Sequence, residues 1–130
     1  MKNKIKKFFF YWLPSILWMG MIFYLSSRHS MSVADKYIVN FLFFKTLHII
    51  EYAILYFLIF RTINSLKIGN KNRFIYSLII SVIYAISDEI HQVFVPTREG
   101  RIRDVLIDTT GIFLMYIYIR YKLPKLKKLL

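Results

Sequence analysis

Asp88, Glu89, His91 and Gln92 stand at the end of an apolar run that begins near Phe74, where a membrane-spanning helix would near the bilayer surface. Ionisable side chains are costly at that depth and usually mark a site. Lys45, His48 and Glu51 interrupt a second apolar run, and Asp104 and Asp108 open a third. Their recurrence points to one shared polar site. Asp88, His91, His48 and Glu51 are the candidates for acid/base chemistry, because a histidine with a carboxylate at i−3 can be oriented for proton transfer near neutral pH.

Two histidines with several carboxylates also make a divalent metal such as zinc conceivable. No spacing requires one, since His-Glu-x-x-His is absent and the ligands would come from different helices. The competing structural reading is a hydrogen-bonded, salt-bridged network holding the helices together, with Lys45 or Arg98 neutralising the carboxylates. Lys45 could equally snorkel to the interface. Arg98, Arg101 and Arg103 could clamp a phosphate or pyrophosphate, or belong to a solvated loop, and His29 reads as an ordinary loop residue.

The elements that must position these groups follow from composition. The 130 residues are 57% hydrophobic and 18% aromatic, with a mean hydropathy of +0.46. That is too apolar for an ordinary soluble domain of this size. Four runs, roughly 8–27, 41–60, 74–95 and 104–121, have the ~20 residues that a helix needs to cross a bilayer core. The expectation is an all-α, integral membrane four-helix bundle forming a single domain over 1–130.

The formal charge of +12 does not indicate nucleic-acid binding, because the basic residues form short clusters flanking the apolar runs. Thirteen Lys and Arg lie in the two terminal segments and the middle connection, including Lys67, Lys127 and Lys128, and five in the other two connections. The positive-inside bias therefore puts both termini in the cytoplasm. All seven acidic residues fall in the outer connections or the spans. Bulky residues from Met19 to Leu25 argue against a cleavage site, so the first span is expected to stay as an anchor. With no cysteine there is no disulfide framework or thiol chemistry.

Helical spacing sharpens the site. Lys45, His48, Tyr52 and Tyr56 share one stripe, with Glu51 about 60° from His48. Ser77, Ser81, Tyr84, Asp88, His91 and Gln92 form a polar stripe that lipid cannot satisfy, so it should face other helices. Glu89 lies about 100° off it and should face another neighbour. Asp104, Asp108, Gly111 and Met115 align on the last run, with Gly111 open to a close backbone approach. At 1.5 Å per residue, Asp88 and His48 sit about 9–10 Å below the outer helix ends, so one outward-facing pocket accounts for all of them. Pro14 falls in the first turns of its span, where a missing N–H does least harm. Residues 28–40 could form a short interfacial helix or a loop, and the short connection with Pro96 and Gly100 makes the last two spans antiparallel neighbours.

The stretch from Ser87 to Gly111, SDEIHQVFVPTREGRIRDVLIDTTG, resembles the signature of the VanZ-like family of small bacterial membrane proteins. The Tyr24-Leu-Ser-Ser27 end of the first run, and Lys45-Thr-Leu-His48 followed by Glu51-Tyr52, resemble that family's upstream motifs. This chain has Thr97 where the family often has Gly, and Asp108 where it often has Asn. The resemblance implies association with the bacterial envelope, and the family's namesake is linked to lowered susceptibility to the glycopeptide teicoplanin.

The expectation is a multi-pass protein of the bacterial cytoplasmic membrane whose pocket binds an amphiphile: membrane lipid, lipid-linked cell-wall precursor or lipoglycopeptide. Its candidate binding residues are Lys45, His48, Glu51, Tyr52, Asp88, Glu89, His91, Gln92, Arg98, Asp104 and Asp108. One alternative is a membrane-embedded hydrolase or transferase acting on a lipid-linked substrate. Another is a small lipid transporter or flippase, suggested by Ser77, Ser81 and Tyr84 continuing the polar stripe inward. The sequence leaves the presence of catalysis and the oligomeric state open.

Overall fold

Every long apolar stretch is helical. A computed structural model of the protein describes residues 2–29, 32, 35–66 and 68–126, so Lys67, Lys127 and Lys128, counted above among the basic residues, lie outside it. Helix α1 (Lys2–Lys7), a π-helical segment (Phe8–Trp12) and α2 (Leu13–Ser26) run on without a break. Three long helices follow: α3 (Tyr37–Asn64), α4 (Asn70–Val93) and α5 (Ile102–Leu126). There is no strand among the described residues.

The expected boundaries shift where the chain punctuates differently. Lys36 takes an extended conformation just before α3, so that helix starts four residues ahead of the expected 41. The described part of the 28–36 connection is not helical. Pro14 is in the first turn of α2, yet the chain is already helical before it. A proline has no N–H for the preceding turn, and a π-helical register shift is one way to pass it. The Tyr11 carbonyl of that segment accepts from Thr62 Oγ1 at 2.6 Å, and Ser15 Oγ lies 2.7 Å from the same hydroxyl. These bonds tie α2 to the far end of α3.

Helix α3 is central, and its Tyr52, Leu55, Tyr56, Ile59 and Phe60 form the core with Ile22, Ala85, Ile112 and Ile119. Helix α4 is inverted relative to a water-soluble helix. Its buried residues are Ser77, Ser81, Ala85, Asp88, Glu89 and Gln92, while Ile79, Ile83, Ile86, Ile90 and Val93 are exposed. Small side chains let α4 approach its neighbours closely, which is how helices associate when the surroundings are as apolar as they are.

Three helices, Lys4–Ser26, Tyr37–Asn64 and Asn70–Val93, are long and apolar enough to cross a membrane. The sequence reading expected four. Helix α5 has the length, at 25 residues, but Arg103, Asp104, Asp108, Arg120, Lys122 and Lys125 keep it out of that set. Two of those charges, Asp104 and Asp108, are buried in the bundle. The turn between α4 and α5 makes these helices antiparallel neighbours. At its corner Thr97 has φ 68°, the left-handed region that costs an L-residue about 1–2 kcal/mol and suits glycine.

Candidate functional site

The end of α2, the start of α3, the end of α4 and the start of α5 meet at one end of the bundle. Asp88 is the hub. Its Oδ1 accepts from Ser26 Oγ at 2.6 Å, and its Oδ2 accepts from Tyr52 Oη at 3.2 Å and Gln92 Nε2 at 3.0 Å. One carboxylate thereby joins α2, α3 and α4, with neutral donors only. Tyr84 Oη reinforces the same junction by donating to the Met19 carbonyl at 2.6 Å.

A second set of contacts joins α3 to α5. Lys45 Nζ is 2.8 Å from Asp104 Oδ2, and His48 Nδ1 is 3.2 Å from Asp108 Oδ1. The i, i+3 spacing on one helix meets the i, i+4 spacing on the other. Gly111 makes the register possible, because a Cβ there would run into the Ile49 backbone carbonyl. The His48–Asp108 approach lacks hydrogen-bond alignment, and both buried Asp108 oxygens are without a hydrogen-bond partner among the described residues.

Between these two sets lies a cavity of about 410 Å³. Lys45, His48, Glu51, Asp88, Gln92 and Arg98 give it a polar wall, and Ile22, Leu25, Phe43, Phe44 and Leu47 an apolar one. Phe43 and Leu47 are also exposed on the outer flank of α3, so the apolar wall continues onto the helix surface. Such a volume falls in the ~300–1,000 Å³ range of small-molecule pockets.

Six of the residues singled out from the sequence thus share one cavity. Tyr52, Asp104 and Asp108 stand behind it, each holding a group that lines it or joins its wall. Glu89 does not join it: buried, it accepts from the Arg101 backbone N–H at 3.1 Å and from Gln92 Nε2 at 3.3 Å, bracing the turn where Gly100 packs on the Glu89 carbonyl. His91 does not join it either. It stacks on Phe23 with ring centroids 4.4 Å apart, and its Nε2 lies 2.9 Å from Ser27 Oγ. Three residues along a helix turn a side chain about 60° away, enough to aim His91 past the junction that Asp88 enters.

The arginine clamp is not assembled. Arg98 donates to the Arg28 and Leu25 carbonyls at 2.9 and 3.0 Å, placing a cation at the negative end of α2. Arg101 pairs with Glu99, and Arg103 lies 3.4 Å from Asp104 and 5.0 Å from the Phe41 ring. Among the described residues no three His, Asp or Glu side chains stand where they could hold a metal ion together. The inward polar continuation is closed packing: Ser77 and Ser81 donate to carbonyls of their own helix at 2.7 and 2.8 Å.

Sequence reasoning missed Ser26, Arg28, His29 and the aromatic wall. His29, read as an ordinary loop residue, lines the cavity and has Nδ1 3.4 Å from Thr97 Oγ1. Ser26 had a signal, because it sits in the Tyr-Leu-Ser-Ser motif. Phe43 and Phe44 had none, since a lipid-facing and a cavity-facing phenylalanine look alike in sequence.

No curated protein and no solved structure matches the chain at a significant level. The VanZ/LLP1 family model matches residues 8–123, a span that runs from the π-helical segment through most of α5 and takes in every residue of the cavity wall. The chain belongs to the VanZ-like family.

Proposed function

We propose that this VanZ-like protein is a four-span protein of the bacterial cytoplasmic membrane, with both termini inside, whose cavity opens toward the cell exterior and binds an amphiphilic envelope molecule. The inverted α4 supports the membrane setting. In water its exposed isoleucines would forgo roughly 1.5–3 kcal/mol each relative to full burial, whereas in lipid they are at home. The fourth span is α5, whose inward aspartates meet Lys45 and His48 rather than lipid. The positive-inside distribution supports the orientation, which sets the polar end of the bundle outward.

One observation carries the ligand class: the cavity has a charged wall and an apolar wall that is continuous with the lipid-facing flank of α3. A molecule with a polar head and a hydrocarbon tail satisfies both. Occupation of this site would contribute to envelope homeostasis or to lowered teicoplanin susceptibility. Filling the cavity with Leu47→Trp tests this. Expressed in a teicoplanin-susceptible bacterium, the wild type is expected to lower susceptibility, and the variant, at equal membrane abundance, to lose that effect. Equal protection by the filled variant would remove the cavity from the mechanism.

A further inference from the structure

Neither Glu51 nor Asp88 has a cation in hydrogen-bond or ion-pair contact among the described residues. Lys45 is paired with Asp104, His48 faces Asp108, and Arg98 is turned onto the two carbonyls at the end of α2. His29 meets the Thr97 hydroxyl, and Arg28 stands at the exposed rim, 6.0 Å from the centre of the Tyr24 ring. Asp88 receives hydrogen bonds from neutral donors only. Glu51 lines the cavity and makes no side-chain hydrogen bond or ion pair among the described residues. Of the two carboxylates that line the cavity, Asp88 and Glu51, only Glu51 has no such contact among the described residues. A partly buried carboxylate is costly without a cation, so the cavity favours a positively charged group in its occupant.

Resting on the reading of this cavity as an amphiphile site, we propose that it takes the primary ammonium of an amine-headed membrane lipid. Glu51 is the counter-ion, with Asp88 beside it. The acyl chains leave between α2 and α3 past Leu25, Phe43 and Leu47, where the apolar wall reaches the flank of the bundle. A free amine would leave that wall uncovered. A headgroup with a phosphate and no amine would leave Glu51 and Asp88 without a cation, whereas Arg98 and Arg28, which also line the cavity, have no carboxylate partner among the described residues and can face the phosphate.

The test compares two probes that differ only at the amine: dioleoylphosphatidylethanolamine and its N-acetyl derivative, which keeps the phosphate and chains and lacks the charge. Binding to the full chain in dodecylmaltoside is read by native mass spectrometry. The wild type is expected to prefer the free amine by roughly tenfold or more, as for a desolvated charge pair. Glu51→Gln should bind both alike, and Leu47→Trp should bind neither. Equal binding of the two lipids by the wild type would overturn the proposal without any variant. So would a preference that persists in Glu51→Gln. If Leu47→Trp still abolishes that binding, only the amine assignment falls. Should neither lipid bind the wild type above the Leu47→Trp level, the amphiphile reading falls with it.

Discussion

Gly111→Ala will strip the bundle of its α3–α5 packing and lower the stability of the purified protein by at least about 3 kcal/mol, the upper end of ordinary overpacking costs. The added methyl would meet the Ile49 backbone carbonyl, and a helix backbone, unlike the tip of a side chain, cannot swing aside. Helix α5 would have to move outward, and with it Asp104 and Asp108, breaking the Lys45–Asp104 ion pair and drawing Asp108 away from His48. Gly20→Ala is the matched control. Nothing lies within 4 Å of a Cβ at Gly20, so this helical substitution should stabilise by about 0.5–1 kcal/mol. Thermal unfolding of both variants in the same detergent checks the pair. Indistinguishable melting would mean that α3 and α5 do not touch where described.

The second large effect is at Asp88. Asp88→Leu deprives Tyr52 Oη of its acceptor and leaves Gln92 only Glu89, while Ser26 keeps the Phe23 carbonyl, 3.0 Å away. Each buried polar group left unsatisfied costs about 1–3 kcal/mol, so a loss of about 2–4 kcal/mol is expected. Asp88→Asn retains one acceptor oxygen and should lose less. Adding Tyr52→Phe to Asp88→Leu removes one stranded hydroxyl and should recover part of the loss, the signature of direct coupling. Denaturant or thermal midpoints for the set provide the measurement. Additive losses in the double variant would show that Tyr52 does not serve Asp88.

The placement of these groups was partly legible in the sequence. Helical spacing put Lys45 and His48 on one stripe and Asp104, Asp108 and Gly111 on another, and the structure lays those two stripes together. Asp88 and Gln92 were legible as inward-facing because lipid could not satisfy them. His91 was misplaced because periodicity fixes a side chain's direction to a sector, and at a helix end the neighbouring Phe23 and Ser27 decide what that sector contains. Glu89 looked like a site residue, since a buried carboxylate bonded to a loop N–H has the same sequence signature as one that binds a ligand. The arginines of the turn scattered for a related reason: short charged loops leave no period to read, and each guanidinium found a local carbonyl, carboxylate or ring. Thr97 shows the opposite case. A glycine would fit the left-handed backbone at that corner, which the threonine adopts at a cost.

The central claim is that the polar end of the bundle forms a cavity reached from outside the cell. The chain has no cysteine, so a single Glu51→Cys reports on the cavity, and Leu66→Cys, exposed beyond the far end of α3, reports on the opposite side. Intact cells are treated with a membrane-impermeant cationic methanethiosulfonate, before and after permeabilisation. The account predicts that Glu51→Cys reacts in intact cells and Leu66→Cys only once they are opened. The reverse pattern, or a Glu51→Cys that stays unreactive throughout, would contradict it.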